Sequence, residues 1–350
     1  MDGRKKNRPA GILPIKREAN VTQSFTIREA TPRDNDALVR LELRSPLVVG
    51  NTRESYDRSP DFFACHRLQG QHRVVLAEAG GRPVGVMAGV IQDPVIQGQA
   101  RRLVYIQRAR VDPQFQGQKV AWNLANDIFK WSATLGAEGP YYLIAPGNER
   151  SVAFGGRAGR RWPVDLRLLE FDVSSVKEEP PPRIARTQLP EVVTLVNATH
   201  SGEDFFEPLS VDSMRERLRR DPRYNLEHLR GTVRGGKLVA VAGFWDKGAT
   251  TQAIHSDAAT GEETRSRTAV VTDWGWAPGH EGAFAGVLRS LASDARALGR
   301  DGLAICEPSP GMLQDPGLAR REVSVSLYTP AMDPPDATSI RGIYADMLTL

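Results

Sequence analysis

The residues with the clearest chemical implication lie in an eleven-residue stretch that begins at Val111 and reads Val-Asp-Pro-Gln-Phe-Gln-Gly-Gln-Lys-Val-Ala. A strand-like run at 103–106 precedes it, and a helix-like run at 122–131 follows it. Pro113 has no N–H and ends a strand ladder, whereas Gly117 allows backbone angles that a side chain resists. The stretch is therefore predicted to join a strand to a helix through a tight turn. Unpaired amides at a helix N-terminus, backed by the helix dipole, bind anions and suit a pyrophosphate.

The pattern Val-x-Pro-x-x-Gln-Gly-x-x-x-Ala resembles the coenzyme A loop of the GNAT superfamily of N-acyltransferases. In that family a Gln/Arg-x-x-Gly-x-Gly/Ala element opens the central helix, and its amides hold the CoA pyrophosphate. The resemblance implies a cofactor-binding set of Arg110, Val111, Gln116, Gly117, Gln118, Lys119, Val120 and Ala121. Lys119 stands where the family usually has glycine. Either its ammonium lies beside the phosphates, or its side chain crowds the approach that glycine permits.

A second element, Asn-Glu-Arg-Ser at Asn148 to Ser151, resembles the family's Asn-x-x-Ser/Ala segment, which packs along the cofactor arm. The resemblance implies that Asn148 caps a helix or bonds the pantetheine amide and that Ser151 also contacts the cofactor. Many members carry a tyrosine general acid about one turn later, but this chain has Gly155-Gly156 there. Tyr141 or Tyr142 would then have to protonate the leaving thiolate.

Acyl transfer from a thioester to an amine requires a base for the amine, stabilisation of the oxyanion and an acid for the thiolate. Many members of the family place an acid six residues before the valine of the loop, and here that position is Tyr105. A tyrosine with a pKa near 10 is a poor base. Glu78, on the neighbouring hairpin, is the nearest carboxylate by topology, and Glu149 is another candidate. The catalytic candidates are therefore Tyr105, Tyr142 and Glu78.

Acceptor-binding candidates follow the first helix of each half. In the first half they are Glu54, Tyr56 and Asp57, which could recognise a cationic amine or simply be solvated. In the second half, His200 precedes nearby carboxylates. Histidine ligands at a useful spacing are missing, so loop contacts are favoured there and no metal site is predicted.

Composition restricts the class of protein. The 350 residues suit about two domains, and 40% hydrophobic with 25% charged residues allows real cores. Cys65 and Cys306 have no metal-ligand spacing, which favours a reduced, cytoplasmic protein. No apolar run approaches the length of a membrane span. The formal charge of +4 is spread over separate arginine pairs, so nucleic-acid binding is not favoured.

The predicted fold class is α/β (α+β mixed sheet), with two tandem GNAT-like domains, each a central mixed sheet flanked by helices. The element order β-α-α-β-β-β-α-β-α-β of GNAT domains is read once before the proline-rich segment and again after it. The predicted boundaries are a disordered leader at 1–22, a GNAT domain with the CoA-binding loop at 23–176, a Pro-rich linker at 177–182 and a degenerate second domain at 183–350. The second loop places Glu281 where Gln116 stands, and a carboxylate repels a pyrophosphate.

Four further segments are also interpreted. Residues 45–65 are expected to form a second helix and a loop, 183–185 a short strand, and 252–267 a polar insertion. Residues 343–348 are expected to close the chain.

The favoured function is an acyl-CoA-dependent N-acyltransferase that uses acetyl-CoA or another acyl-CoA and acts on a small-molecule amine. Direct attack is expected because no activated cysteine or serine is apparent; Cys65 is placed in a loop far from the CoA loop in sequence. Two alternatives stay open, namely a binding or regulatory protein that has lost turnover and an aminoacyl-tRNA-dependent transferase. The sequence does not identify the acceptor, the acyl chain length or the oligomeric state.

Overall fold

The computed structural model describes residues 24–145, 147–177, 184–308, 311–313 and 316–347. The leader predicted for 1–22 and residues 178–182 of the predicted linker lie outside these ranges. Among the described helices, none is both long and apolar enough to cross a membrane.

The first half contains ten strands and four α-helices within the described residues. They are β1 (Thr26–Glu29), α1 (Asn35–Arg44), β2 (Leu47–Val49), β3 (Thr52–Asp57), α2 (Ala64–Gln69), β4 (His72–Ala79), β5 (Arg82–Gln92), β6 (Val95–Ile96), β7 (Gln99–Ala100), β8 (Leu103–Val111), α3 (Val120–Thr134), β9 (Pro140–Ile144), α4 (Glu149–Ala158) and β10 (Arg160–Asp172).

The second half repeats much of this order. Its elements are α5 (Leu189–His200), α6 (Val211–Arg220), β11 (Leu229–Arg234), β12 (Lys237–Trp245), β13 (Gln252–Asp257), β14 (Glu263–Ser266), β15 (Thr268–Trp276), α7 (Glu281–Ala297), β16 (Gly302–Glu307) and β17 (Arg320–Thr329). The predicted mixed sheet flanked by helices is confirmed.

One eleven-stranded sheet runs through both halves in the order β1-β4-β5-β8-β9-β17-β10-β16-β15-β12-β11. The last strand of each half lies among strands of the other half, because β17 pairs with β9 and β10 pairs with β16. The two halves therefore share backbone hydrogen bonds at the centre of the sheet. The domain boundaries stay a prediction, although β10 and β17 each pair with a strand of the opposite half.

A second sheet also joins the halves. The hairpin of β13 and β14 adds to β3 through antiparallel pairing of β13, so the sheet has the order β14-β13-β3-β2. The segment predicted as a polar insertion at 252–267 thus contains two strands, and one of them, β13, pairs with β3 of the first half.

Helix α3 lies close to the sheet because β5 carries two glycines beneath it. A Cβ at Gly85 would come 2.7 Å from a methyl group of Val120, and one at Gly89 would come 2.5 Å from Ile128. Helix α3 packs on one face of the sheet with the core around Val104 and Tyr142. The opposite face carries α1, and a core with Tyr105 and Cys65 that continues into the second half.

The structure differs from the sequence interpretation in three segments. Residues 45–65 contain the β2–β3 hairpin before α2 begins, and Ile184 and Ala185 form no strand. Strand β17 was not predicted at all. Its first residues are polar and exposed and pair with the last residues of β10, so the alternation of β17 is weak there.

Candidate active site

A cavity of about 970 Å³ opens where β8, α3, α4 and the end of α1 meet. Nine residues predicted to bind the cofactor line it: Arg110, Val111, Gln116, Gly117, Lys119, Val120, Ala121, Asn148 and Ser151. Gln118, the tenth, is not among its lining residues; its side chain donates to the carbonyl of Gln114 at 3.1 Å. The cavity is lined mainly by apolar surface, which is typical of sites for small organic ligands.

The first turn of α3 supplies unused amides. Lys119 is the N-cap and makes no side-chain capping bond. Within the described part of the chain, the backbone N–H groups of Gly117, Lys119, Val120 and Ala121 have no hydrogen-bond acceptor. Four unsatisfied donors at the positive end of a fifteen-residue helix form a site for an anion.

Lys119 adopts the backbone conformation that its position in the family pattern suggests. Its φ of 62° and ψ of 15° lie in the left-handed region, where glycine is usual. Gly117 also has a positive φ, of 80°. The turn thus keeps the shape that glycine would give it, with an exposed ammonium-bearing side chain at the rim of the cavity.

A further cation near the turn comes from α4. Arg150 Nη1 donates to Gln116 Oε1 at 2.7 Å, and both residues line the cavity. The Gln116 amide donates in turn to the Val111 carbonyl at 3.3 Å. Asn148 caps α4 as predicted, accepting from the Ser151 amide at 3.1 Å. Arg150, Lys119 and Arg110 give this cavity a positive lining suited to a polyanionic ligand.

The corresponding turn of the second half is occupied by the chain itself. Strand β15 and α7 repeat the arrangement of β8 and α3, and Glu281 begins α7. Its carboxylate accepts from the Gly279 amide at 3.2 Å. Hydrogen bonds from its own amide and that of Gly279 lower the pKa of Glu281 below its ordinary value. An anionic ligand here would meet a carboxylate that already uses these donors.

Strand β8 separates from β9 beside the cavity. Their parallel pairing ends at Ile106 and Tyr142, although β8 continues to Val111. A register shift against β5 in the same part of β8 accompanies a φ of 58° at Arg108. The separation leaves the edge of β8 at 109–111 facing the cavity rather than a neighbouring strand.

The three catalytic candidates lie in different environments. Tyr142 packs edge-on against Phe154 of the cavity wall, with ring centroids 6.0 Å apart, and its buried hydroxyl has no partner among the described residues. Burial raises the pKa of Tyr142, so its hydroxyl stays protonated. Tyr105 belongs to the core on the opposite face, 4.9 Å from the Tyr141 ring. Glu78 is not a lining residue and pairs with Arg28 at 2.7 Å.

Three of the acceptor-binding candidates, Glu54, Tyr56 and Asp57, lie together on β3, whereas His200 lies at the end of α5. Tyr56 donates to Glu54, and Asp57 accepts from the Ser59 amide at 2.9 Å. Two guanidinium groups lie over the Tyr56 ring, that of Arg58 at 4.9 Å and that of Arg110 at 5.9 Å from its centroid.

His200 is in the second half and lies away from the cavity. It is fully buried, and its ring nitrogens contact Glu203 Oε2 at 2.7 Å and the Trp274 carbonyl at 2.9 Å. These contacts join the end of α5 to β15, which is a structural arrangement. Among the described residues, no group of three or more His, Cys, Asp or Glu side chains could hold a metal ion.

Sequence reasoning missed several residues at this site. Ser45 lines the cavity with a buried hydroxyl that has no partner among the described residues. Cys65 was placed in a loop remote from β8, but it lies on α2 and its Sγ accepts from Arg108 Nη2 at 3.3 Å. The contact of Cys65 with Arg108 depends on the packing of α2 against β8, which no local sequence pattern reveals.

Comparison with known proteins places this site in a family. Residues 36–159, which include every residue that lines the cavity, match the sequence profile described as "Acetyltransferase (GNAT) family". No curated protein matches the sequence.

Three solved structures share the fold. Saccharomyces cerevisiae N-myristoyltransferase with bound myristoyl-CoA has a TM-score of 0.63 at 10% identity, over 92% of this chain and 85% of that chain. A GCN5-related N-acetyltransferase from Sphaerobacter thermophilus has 0.53 at 14% identity, over 90% and 98%. A fungal GCN5-related glucosamine N-acetyltransferase region has 0.56 at 13% identity, over 88% of this chain and 38% of that chain.

At such identities the structural likeness concerns the fold, and the family assignment rests on the match of residues 36–159. That match, the cavity and the amide-rich turn agree with one another. Residues 36–159, the part of the chain that contains the cavity, match the GNAT acetyltransferase family, and the fold is the one seen in these N-acyltransferase structures.

Proposed function

We propose that the protein transfers an acyl group from acyl-CoA, with acetyl-CoA as the simplest donor, to the amine of a small molecule. The observation that carries this proposal is the set of four unpaired amides at the start of α3, at the rim of the large cavity. The amides, Lys119 and Arg150 would bind the pyrophosphate, and Asn148 and Ser151 would lie along the pantetheine arm.

The reaction would proceed by direct attack. The amine nitrogen forms a bond to the thioester carbon, and the C–S bond breaks with its electron pair on sulfur. The proton that the amine loses balances the one that the thiolate takes up. Tyr142 is proposed to supply the latter, because its unpartnered hydroxyl lies behind Phe154 at the cavity wall. Tyr105 and Glu78 stay predictions, with no contact to the cavity lining in their support.

The acyl chain length is the open part of the donor assignment. The volume of about 970 Å³ and the apolar lining would accommodate a chain longer than acetyl, and the yeast structure of similar fold holds myristoyl-CoA. The competing function is an acyl-CoA-binding protein without turnover. A cytoplasmic location and a small-molecule acceptor belong to the proposal as well.

Two measurements test the proposal in sequence. Calorimetric titration with acetyl-CoA and longer acyl-CoA thioesters measures donor binding, and thiol release over a panel of amines measures turnover. Binding together with amine-dependent thiol release is expected. Binding without thiol release for any amine would favour the acyl-CoA-binding protein without turnover. Absence of acyl-CoA binding would refute both functions.

A further inference from the structure

A network of buried polar side chains lies behind β8, on the sheet face opposite α3. It links Glu42 of α1, Arg58 after β3, Cys65, His66 and Gln69 of α2, and Gln107 and Arg108 of β8. Arg58 pairs with Glu42, Arg108 donates to Cys65 at 3.3 Å, and Gln107 donates to Gln69 at 2.6 Å. We call these seven residues the polar network.

The polar network contains an unusual concentration of unused hydrogen-bonding atoms. Among the described residues, five of its buried atoms have no partner: the donors Arg58 Nη2 and Arg108 Nε, the acceptors Glu42 Oε1 and Gln107 Oε1, and His66 Nε2. Arg58 is 2% exposed, and Glu42 and His66 are fully buried. Because buried polar atoms are nearly always hydrogen-bonded in folded proteins, such a concentration indicates a place where a polar ligand binds.

The charges of this region favour an anionic group on that ligand. Arg58, Arg108 and Lys247 bring three positive charges together, and no described carboxylate forms an ion pair with Lys247 or Arg108. Burial, followed by the charge of Arg108, lowers the pKa of Arg58 to about 10 and that of Lys247 to about 8. Burial and Arg108 also hold the pKa of His66 well below its ordinary value, so that side chain is neutral.

The polar network adjoins the cavity that we propose for the acyl donor. The Tyr56 ring contacts both Arg58 of the network and Arg110 of the cavity lining. Ser45, whose amide donates to the Glu42 carbonyl at 3.2 Å, also lines the cavity. Arg108 immediately precedes Ala109, which lines the cavity, and both Arg108 and Lys247 are only half-buried. The network therefore borders the cavity proposed for the donor.

We propose that the acceptor is an amine that also carries a carboxylate, and that Arg58 Nη2 and Arg108 Nε bind this carboxylate. The unused oxygens of Glu42 and Gln107 are available to its ammonium before the proton is lost. This inference rests on the proposed function, since it names the substrate class of the same site. Guanidinium groups suit carboxylates because they offer several donors in one plane.

The test compares acceptors that differ only in the carboxylate. Amino acids, their primary amides and their decarboxylated amines are assayed with acetyl-CoA by thiol release, and their binding is measured by calorimetry in the presence of CoA. We expect kcat/KM for the free acid to exceed that for the amide by at least about 100-fold, because unpaired buried donors reject a ligand that lacks their partner. In Arg108→Gln we expect this preference to fall below about 10-fold, with unchanged acetyl-CoA affinity.

Controls separate this inference from folding and from the proposed function. Arg219→Gln removes an exposed arginine and should keep the full preference, and Arg58→Lys retains the buried charge but loses the planar fork. If acetyl-CoA does not bind, the proposed function fails. If it binds and acids and amides bind or react equally, or none binds, the acceptor inference alone is refuted. A preference for succinyl-CoA over acetyl-CoA that Arg108→Gln removes would place the carboxylate on the acyl group and would overturn the assignment to the acceptor.

Discussion

Replacing Lys119 by glycine separates two effects of this residue that act in opposite directions. The left-handed conformation at Lys119, with φ of 62°, costs a residue with a side chain about 1 kcal/mol. Glycine removes this cost but gains freedom in the unfolded chain. With the entropy of glycine at about 0.5 kcal/mol, the expected net change is a stabilisation of about 0.5 kcal/mol, or roughly 1–2 °C in Tm for a protein of this size.

The same substitution removes an ammonium group from the rim of the cavity. Two unit charges about 5 Å apart in water attract by about 0.8 kcal/mol. For a doubly charged pyrophosphate under partial screening, this corresponds to a loss of about 3- to 10-fold in CoA affinity. Lys119→Gly should therefore be more stable than the wild type and bind CoA more weakly, with a weaker dependence of Kd on salt.

Thermal unfolding and calorimetric titration with CoA at two ionic strengths measure both effects. Lys119→Ala is the matched control, since it loses the charge but keeps a side chain at a positive φ. It should lose affinity equally and gain no stability. Tighter CoA binding by Lys119→Gly would refute the reasoning, because it would show that the lysine side chain obstructs the turn instead of attracting the phosphates.

Three other predictions concern the turn, the acid and the polar network. Gln116→Glu should weaken CoA binding by at least about 10-fold through repulsion of the phosphates. Gln114→Glu, which lies outside the cavity lining, should change CoA affinity little. Equal CoA affinities of the two variants would show that the pyrophosphate binds elsewhere. Tyr142→Phe should lower kcat by about 10- to 100-fold without loss of acetyl-CoA affinity, and an unchanged kcat would remove Tyr142 from its role. Burial lowers the pKa of Lys247 to about 8 from 10.5. Between these pH values the unfolded chain holds more protons than the folded one, so the free energy of unfolding should rise with pH in the wild type relative to Lys247→Met. Urea unfolding at several pH values measures this difference, and the same pH dependence in both proteins would contradict the prediction.

The local parts of the fold could be predicted because their signals are local. Pro113 and Gly117 mark the turn between β8 and α3, and the apolar runs on either side fix the element types. The N-cap of α4 at Asn148 could be predicted in the same way. These are interactions between residues a few positions apart, which a sequence pattern contains.

The long-range parts could not be predicted because they depend on packing. No pattern in β10 shows that its partners are β17 and β16 instead of β9. The pairing of β13 with β3, and the contact of Arg108 with Cys65, join segments that the chain keeps far apart. The polar network therefore emerged only from the structure, as did the position of Glu78 and Tyr105 outside the cavity lining.

The central claim is that a pyrophosphate binds at the start of α3. A crystal structure of the protein with CoA at saturating concentration tests it most directly. The account predicts pyrophosphate oxygens about 3 Å from the backbone nitrogens of Gly117, Lys119, Val120 and Ala121. Density for the pyrophosphate at the start of α7 beside Glu281, or an empty cavity at α3, would contradict it.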